Sequence, residues 1–192
     1  KGLTVAGAVA VKGSWSGPVD RIAGHLDADA EALTLSGSPL GPVHVTATTD
    51  GAQVRVEAQA AELGARLDGT VDVVQPWRFT AALALAKTDL ARAVALAGVA
   101  PEWQRELKAA TSATVIASGT IEDLARSDIA ITIDALDGTL RGHPLALAGK
   151  TTVTRKRGVI EVTAPGLSIG GAKLLASGRL DAESPNTPGN PI

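Results

Sequence analysis

The 192-residue chain has no cysteine, no methionine and no tyrosine, and only one phenylalanine and three tryptophans. Each gap removes a class of protein. Without cysteine there is no disulfide scaffold, no thiolate zinc site and no thiol nucleophile. Aromatics at 2% leave nothing for the stacking platforms that hold single-stranded nucleic acids. A formal net charge of −2 lacks the basic excess that phosphate backbones demand, so no nucleic-acid partner is expected. No uninterrupted apolar run reaches the roughly 18 residues of a membrane-crossing helix.

What is present is small and aliphatic. Ala (35) and Gly (21) make up more than a quarter of the chain, and hydrophobic residues are 45% of it. With charged residues at only 20%, the chain is too apolar to be disordered. Its core must be built from Val, Leu, Ile and Ala. Lys1 leads almost directly into Leu3-Thr4-Val5, which reads as a strand already under way. The chain is therefore expected to be a fragment or a processed form.

The dominant pattern is alternation with period two. Val54, Val56, Ala58 and Ala60 alternate with Gln53, Arg55, Glu57 and Gln59. Leu67, Val71 and Val73 alternate with Arg66, Asp68, Thr70 and Asp72. Phe79, Ala81, Leu83 and Leu85 form a third run, Ile129, Ile131 and Ile133 a fourth, Ile160 and Val162 a fifth. Each run predicts a strand with one apolar and one wet face, and a one-residue slip would turn the apolar face to water. Asp50-Gly51, Asp68-Gly69, Asp137-Gly138 and Arg157-Gly158 read as hairpin tips. Pro39, Pro42, Pro76, Pro144 and Pro165 are expected between strands, since proline cannot donate to a ladder. Many short strands joined by tight turns, with no βαβ alternation, predict an all-β antiparallel meander.

Residues 88–110 break the alternation. Thr88 or Asp89 would cap a short helix carrying Leu90, Val94 and Ala97 and ended by Gly98. Pro101 would open a second, with Trp103 and Leu107 four apart. This segment is expected to cover one end of the sheet. The flanking halves echo each other at a spacing near 106 residues. Gly13 matches Gly119, Gly37-Ser38-Pro39-Leu40 matches Gly142-His143-Pro144-Leu145, and Gly51 matches Gly158. Val54 and Val56 match Ile160 and Val162, and Leu63-Gly64 matches Ile169-Gly170. The expected organisation is a first meander repeat over 1–87, a helical connection over 88–110 and a second repeat over 111–182. Residues 183–192, with Pro185, Pro188 and Pro191, read as a disordered tail or linker.

A search for chemistry finds no convergent polar constellation. His25, His44 and His143 stand far apart; His44 falls on the wet side of the Val43–Val45 alternation, and His25 and His143 sit near turns. They read as surface imidazoles, with no metal site and no cofactor expected. There is no G-x-S-x-G elbow. Gly166-Leu167-Ser168-Ile169-Gly170-Gly171-Ala172-Lys173 lacks the spacing and the helix of a phosphate loop. Arg155-Lys156-Arg157 reads as a solvated hairpin tip, with contact to an anionic lipid head group the sharper alternative. No catalytic residue and no enzyme activity are expected.

Two stretches carry a family resemblance. Val115-Ile116-Ala117-Ser118-Gly119-Thr120-Ile121, followed by Ile129-Ala130-Ile131-Thr132-Ile133, resembles the repeats of TamB-like proteins, the inner-membrane subunits of the translocation and assembly module. So does Leu63-Gly64-Ala65-Arg66-Leu67-Asp68-Gly69-Thr70-Val71. The Phe79–Leu85 run leading into Asp89-Leu90 resembles TamB and its AsmA-like relatives. The likeness spans roughly residues 1–182 and rests on rhythm. It implies an internal segment of a periplasmic protein anchored in the inner membrane of Gram-negative bacteria through a segment not present here. It implies a long curved sheet, a β-taco, whose hydrophobic trough serves lipid movement to the outer membrane and the assembly or secretion of outer-membrane proteins. It also implies an outer-membrane barrel partner of the TamA/BamA type, met through regions absent from this chain.

Taken together, the expected groove lining is Val54, Val56, Val71, Val73, Phe79, Leu83, Leu85, Ile129, Ile131, Ile133, Ile160 and Val162, with phospholipid acyl chains as the partner. A long aliphatic face with only one short helical segment to cover it motivates that reading. The alternative is a closed β-solenoid or sandwich acting as a structural or adhesin scaffold.

Overall fold

The alternating runs become the strands of one sheet. The computed structural model describes residues 4–18, 23–35, 38–96 and 102–181. Its strands are β1 (Val5–Ala6), β2 (Val9–Ser16), β3 (Ala23–Leu35), β4 (Ser38–Asp50), β5 (Gln53–Ala60), β6 (Ala65–Asp72) and β7 (Arg78–Asp89). After the helix α1 (Leu90–Leu96) and a 3-10 turn (Glu102–Glu106) come β8 (Leu107–Thr120) and β9 (Asp128–Leu140). Then follow β10 (His143–Leu147), β11 (Thr151–Lys156), β12 (Val159–Ile169) and β13 (Ala172–Asp181). All thirteen belong to a single antiparallel sheet.

The topology is simpler than thirteen strands suggest. β1 and β2 lie end to end along one side of β3. β10 and β11 lie end to end between β9 and β12. Thirteen strands less two leave eleven positions, and each position neighbours the next in chain order. A sheet this broad curls, because each strand is rotated relative to its neighbour. The expected long curved antiparallel meander is the observed fold class, and its strands do not form a parallel solenoid.

Several turn signals were overridden by pairing. Asp50-Gly51 and Arg157-Gly158 do turn the chain, and Asp50 Oδ1 accepts the N–H groups of Ala52 and Gln53 at 2.9 and 3.2 Å. Those bonds, Ala52 first, hold the Asp50 carboxyl below its ordinary range. Asp68-Gly69 instead lies inside β6, with Gly69 opposite Val56 and Ala81. Asp137-Gly138 lies inside β9, and Arg141-Gly142 makes the turn. At Gly138 (φ 155°) a Cβ would stand 2.2 Å from the Lys108 carbonyl oxygen, so the glycine admits close approach of β8, not a turn. Pro39 and Pro42 in β4 and Pro144 in β10 also lie within strands. Each sits beyond the stretch paired on one of its two sides, where no N–H donor is needed. Pro165 falls at the irregularity between Ala164 and Leu167 of β12, and Pro76 alone turns the chain, after β6.

The interruption at 88–110 is narrower than its composition suggests. β7 runs through Asp89, and β8 begins at Leu107, within the expected helix. β7 pairs directly with β8, so one sheet spans both halves of the chain. Asp89 caps α1, its Oδ1 accepting the Arg92 N–H at 3.2 Å. Thr88 is buried, and its hydroxyl donates to the Leu63 carbonyl. The Arg92 side chain pins the helix to the sheet end, donating to the carbonyls of Pro39 at 3.1 Å and Glu62 at 3.4 Å. Gly37, Gly98, Pro101 and the tail at 183–192 lie outside the described residues.

Beneath the helix sits the one buried apolar cluster among the described residues. It comprises Leu107, Ala109 and Leu145, with Leu90 and Ala91 of α1 and Leu136, Leu140, Leu167 and Ile169 packed against it. Outside it, Ala30, Leu63 and Ala113 are buried, and no large side chain of the described residues is fully buried anywhere. The repeat also has a structural form. Gly13 lies in β2 and Gly119 in β8, Val54 and Val56 in β5 and Ile160 and Val162 in β12. Each pair is six positions apart in the sheet. Gly64 and Gly170, both left-handed (φ 60° and 57°), follow the matched strands.

Because burial concentrates under α1, stability should too. Leu145→Ala, at a side chain only 5% exposed, is expected to cost about 2–4 kcal/mol. Ile131→Ala, on the half-buried sheet face, should cost about 1 kcal/mol. Urea titrations of the two variants check the ranking, and equal losses would refute it.

Candidate functional site

In an antiparallel ladder, directly opposed residues point to the same side of the sheet. The pairing register therefore shows which predicted residues share a face. One row reads Val54–Val71–Phe79. The next reads Val56–Gly69–Ala81–Ala117–Ile129–Arg155–Ile160. A third reads Ala58–Leu67–Leu83–Val115–Ile131–Val153–Val162. A fourth reads Ala60–Ala65–Leu85–Ala113–Ile133–Thr151. These rows hold Val54, Val56, Val71, Phe79, Leu83, Leu85, Ile129, Ile131, Ile133, Ile160 and Val162 on one face. Val73 follows the end of β6, where its N–H donates to the Ala52 carbonyl at 2.9 Å, and its side chain is 45% exposed.

The face continues to both edges of the sheet. The third row extends through Val45, Ala28 and Val11 on one side and Gly178 on the other. Ten steps between eleven positions, at about 4.8 Å each, give a face about 48 Å long. Same-face residues recur every ~6.6 Å along a strand, so four rows are about 20 Å wide. Apart from Val73, the twelve predicted residues are all half-buried, and none is buried. Side chains along the face shield one another, while the α1 cluster closes only one end of the strands. Arg155 is the charged residue within these rows, and its guanidinium turns to the Ala125 carbonyl at the opposite strand end.

The other face carries most of the polar side chains, several of them in hydrogen-bonded pairs. His44 Nδ1 lies 2.7 Å from Asp29, and His25 Nε2 lies 2.7 Å from Asp27. His25 thus sits within β3 and not at a turn. Arg66 pairs with Asp68 at 3.1 Å and Glu57 at 3.4 Å, and the hydrogen bond to Asp68 is the main reason its pKa is raised. Lys150 is raised in the same way by its hydrogen bond to Asp134 at 2.8 Å. A depression of about 400 Å³ opens on this side, lined by Arg55, Glu57, Asp68, Thr70, Thr80, Ala82 and Ile116. Gly69 and Ala81 of the second row also line it, so the depression reaches the sheet backbone between the charged side chains. Ile116, 53% exposed there, is the apolar exception.

No group of three His, Asp or Glu among the described residues could hold a metal ion. The Gly166–Lys173 run is the β12–β13 hairpin, with Gly170-Gly171 at its tip and a strand after it. Arg155-Lys156-Arg157 leads into the β11–β12 turn. No helix of the described residues is long and apolar enough to cross a membrane.

The face also holds residues beyond the predicted set, notably Val11, Val45, Leu67, Val115 and Val153. Their signal was the same alternation, in runs where Ala, Gly or Thr occupies neighbouring apolar positions. An exposed aliphatic face should take up an apolar probe. A fluorescent long-chain fatty acid is expected to bind the chain, about tenfold more weakly to Ile131→Asp and unchanged to Thr132→Asp, whose side chain lies on the polar face. Equal weakening by both would show that the face is not the binding surface. No protein-family model matches this chain, and neither a curated protein nor a solved structure matches it.

Proposed function

We propose that this chain is a segment of a periplasmic, bridge-like protein whose hydrophobic β-groove carries phospholipid between the inner and outer membranes. In this reading the parent protein is TamB-like, is anchored in the inner membrane through another segment, and supports outer-membrane protein assembly and secretion through a barrel partner. The observation that carries the reading is the single apolar face, which crosses all eleven strand positions and whose predicted lining residues, Val73 apart, are only half-buried.

The physical case rests on what an acyl chain needs. Taking a sixteen-carbon tail from the bilayer requires apolar cover worth roughly 12 kcal/mol, at about 0.8 kcal/mol per CH₂. Rows of Val, Leu and Ile provide such cover without polar groups that would hold one head group tightly. The scarcity of aromatics keeps the lining even, with Ala and Gly between larger side chains. A sandwich would bury this face against a second sheet, whereas here the same side chains remain half-exposed. The resemblance to TamB-like repeats supplies the cellular setting.

The test is local and has a control built into the alternation. A photocrosslinking residue at position 131 is expected to recover phospholipid, and one at position 132 is not. Ile131→Arg should abolish lipid recovery by a photocrosslinking residue at the opposed position 115, with the sheet still folded by circular dichroism, because a long cationic side chain can reach water from a half-buried position. Position 131 recovering no lipid would overturn the proposal.

A further inference from the structure

The two ends of the strands are finished in opposite ways. At the α1 end, Leu107 and Leu145 are buried beneath the helix. At the other end, apolar side chains stand in water. Outside β1, β2 and β13, the large exposed apolar side chains of the described residues are Val73, Val74, Trp77, Ile116, Ile121 and Leu124. All but Ile116 lie at this end, in the β6–β7 loop and in the 3-10 segment Ile121–Arg126 that joins β8 to β9. Single exposed apolar residues are ordinary, but a cluster of them on loop tips marks a contact surface. The scarce aromatics gather here too. Trp15 and Phe79 stand in the row Trp15–Gly24–Thr49–Val54–Val71–Phe79, the last of the apolar face before the Trp77 loop.

Hydrogen bonds join these loops into one rim. The Val73 N–H donates to the Ala52 carbonyl at 2.9 Å, the Ile121 N–H to the Trp77 carbonyl at 3.1 Å, and Gln75 Nε2 to Glu122 at 3.3 Å. The Arg155 guanidinium donates to the Ala125 carbonyl and the Arg157 N–H to Asp128 at 3.1 Å, which sets the β11–β12 tip beside the 3-10 segment. That tip exposes Lys156 and Arg157, and Arg78 is exposed at the start of β7. None of these three cations belongs to an ion pair among the described residues. The carboxylates of these loops are each engaged within the chain. Asp50, Asp72, Glu122 and Asp128 accept hydrogen bonds from Ala52, Gln53, Gln75 and Arg157, and Asp123 pairs with Arg126.

We propose that this rim docks on the surface of a bilayer containing anionic phospholipid. Val73, Val74, Trp77, Ile121 and Leu124 enter the headgroup region, and Arg78, Lys156 and Arg157 meet the lipid phosphates. Trp suits that boundary because its ring is apolar and its N–H finds a wet partner. Apolar insertion and basic charge are the two signals that together hold a protein on a membrane. The dimensions favour a bilayer over a protein partner. From β6 to β12 the rim runs five strand spacings, about 24 Å, and one sheet layer is ~10 Å thick. The resulting strip of about 240 Å² falls well short of the roughly 800 Å² per partner of a stable protein interface. A bilayer sets no such minimum, since each side chain gains separately on immersion. Docked in this way, the strands stand on the membrane, and the row from Trp15 to Phe79 lies nearest the acyl chains.

The docking does not rest on carriage of lipid along the face, and the two readings separate by experiment. The 192-residue chain should float with vesicles of phosphatidylcholine containing about one third phosphatidylglycerol, and much less with phosphatidylcholine alone. Trp77→Asn with Leu124→Ser should weaken flotation about tenfold. Asn is chosen because it tolerates the left-handed backbone at Trp77 (φ 43°). Lys156→Glu with Arg157→Glu should also weaken it about tenfold, yet bind the fluorescent fatty acid as the parent does. A chain that binds fatty acid but ignores both vesicles overturns the docking and leaves the lipid reading standing. One that floats but binds no fatty acid does the reverse. Flotation that is indifferent to phosphatidylglycerol, or to both double variants, overturns the proposal. If the Trp77→Asn, Leu124→Ser variant unfolds by circular dichroism, the charge reversal decides: undiminished flotation counts against the rim.

Discussion

The molecule depends on one geometric constraint: in an antiparallel ladder, opposed side chains stand on the same side. Local alternation thereby becomes a surface property. Val56 and Ile160 are more than a hundred residues apart in sequence and share a row because each intervening pairing preserves sidedness. A single slipped register would exchange the apolar rows for the row of Asp29, His44 and Arg66 on every strand beyond the slip. The ion pairs of the polar face oppose such a slip as well. Arg66 of β6 meets Glu57 of β5, and His44 of β4 meets Asp29 of β3, only in the observed register.

Most of the architecture was legible because it is written at the scale of two residues. The twelve candidate positions were identified from alternation, and eleven of them fall in the same four rows. The Asp89 cap was legible from a polar residue ahead of a helical run. What was not legible is what depends on a neighbouring strand. Asp68-Gly69 and Asp137-Gly138 carry turn chemistry, yet their partners hold them extended. The prolines of β4 and β10 mislead likewise, because a proline is excluded only from a position paired on its N–H side. Arg155 follows the pattern of an inward-facing residue, but its charge is satisfied at the strand end by a carbonyl that no local pattern reveals.

The two faces and the helical end divide the work. The one cluster of buried apolar side chains among the described residues lies beneath α1, where Leu107, Ala109 and Leu145 meet Leu90 and Ala91. Along the rest of the sheet, order comes from backbone ladders and a wet face of short ion pairs. This division leaves the aliphatic face free of the interlocking that a packed core demands. Its small residues, Gly69, Ala81 and Ala117 among them, can stand between larger ones without creating voids, because no second layer among the described residues has to fit them.

Connection between neighbours alone also makes the fold a gauge of length. In the ladder each position hydrogen-bonds only to the positions beside it, so away from the α1 cluster adding or removing a hairpin changes the span of the sheet by a fixed step. A unit of six positions, the offset that links Val56 to Val162, spans about 29 Å. Six is even, so a whole unit returns the chain to the same strand direction and the same exposed face. Distance across the sheet is thereby counted in residues along the chain.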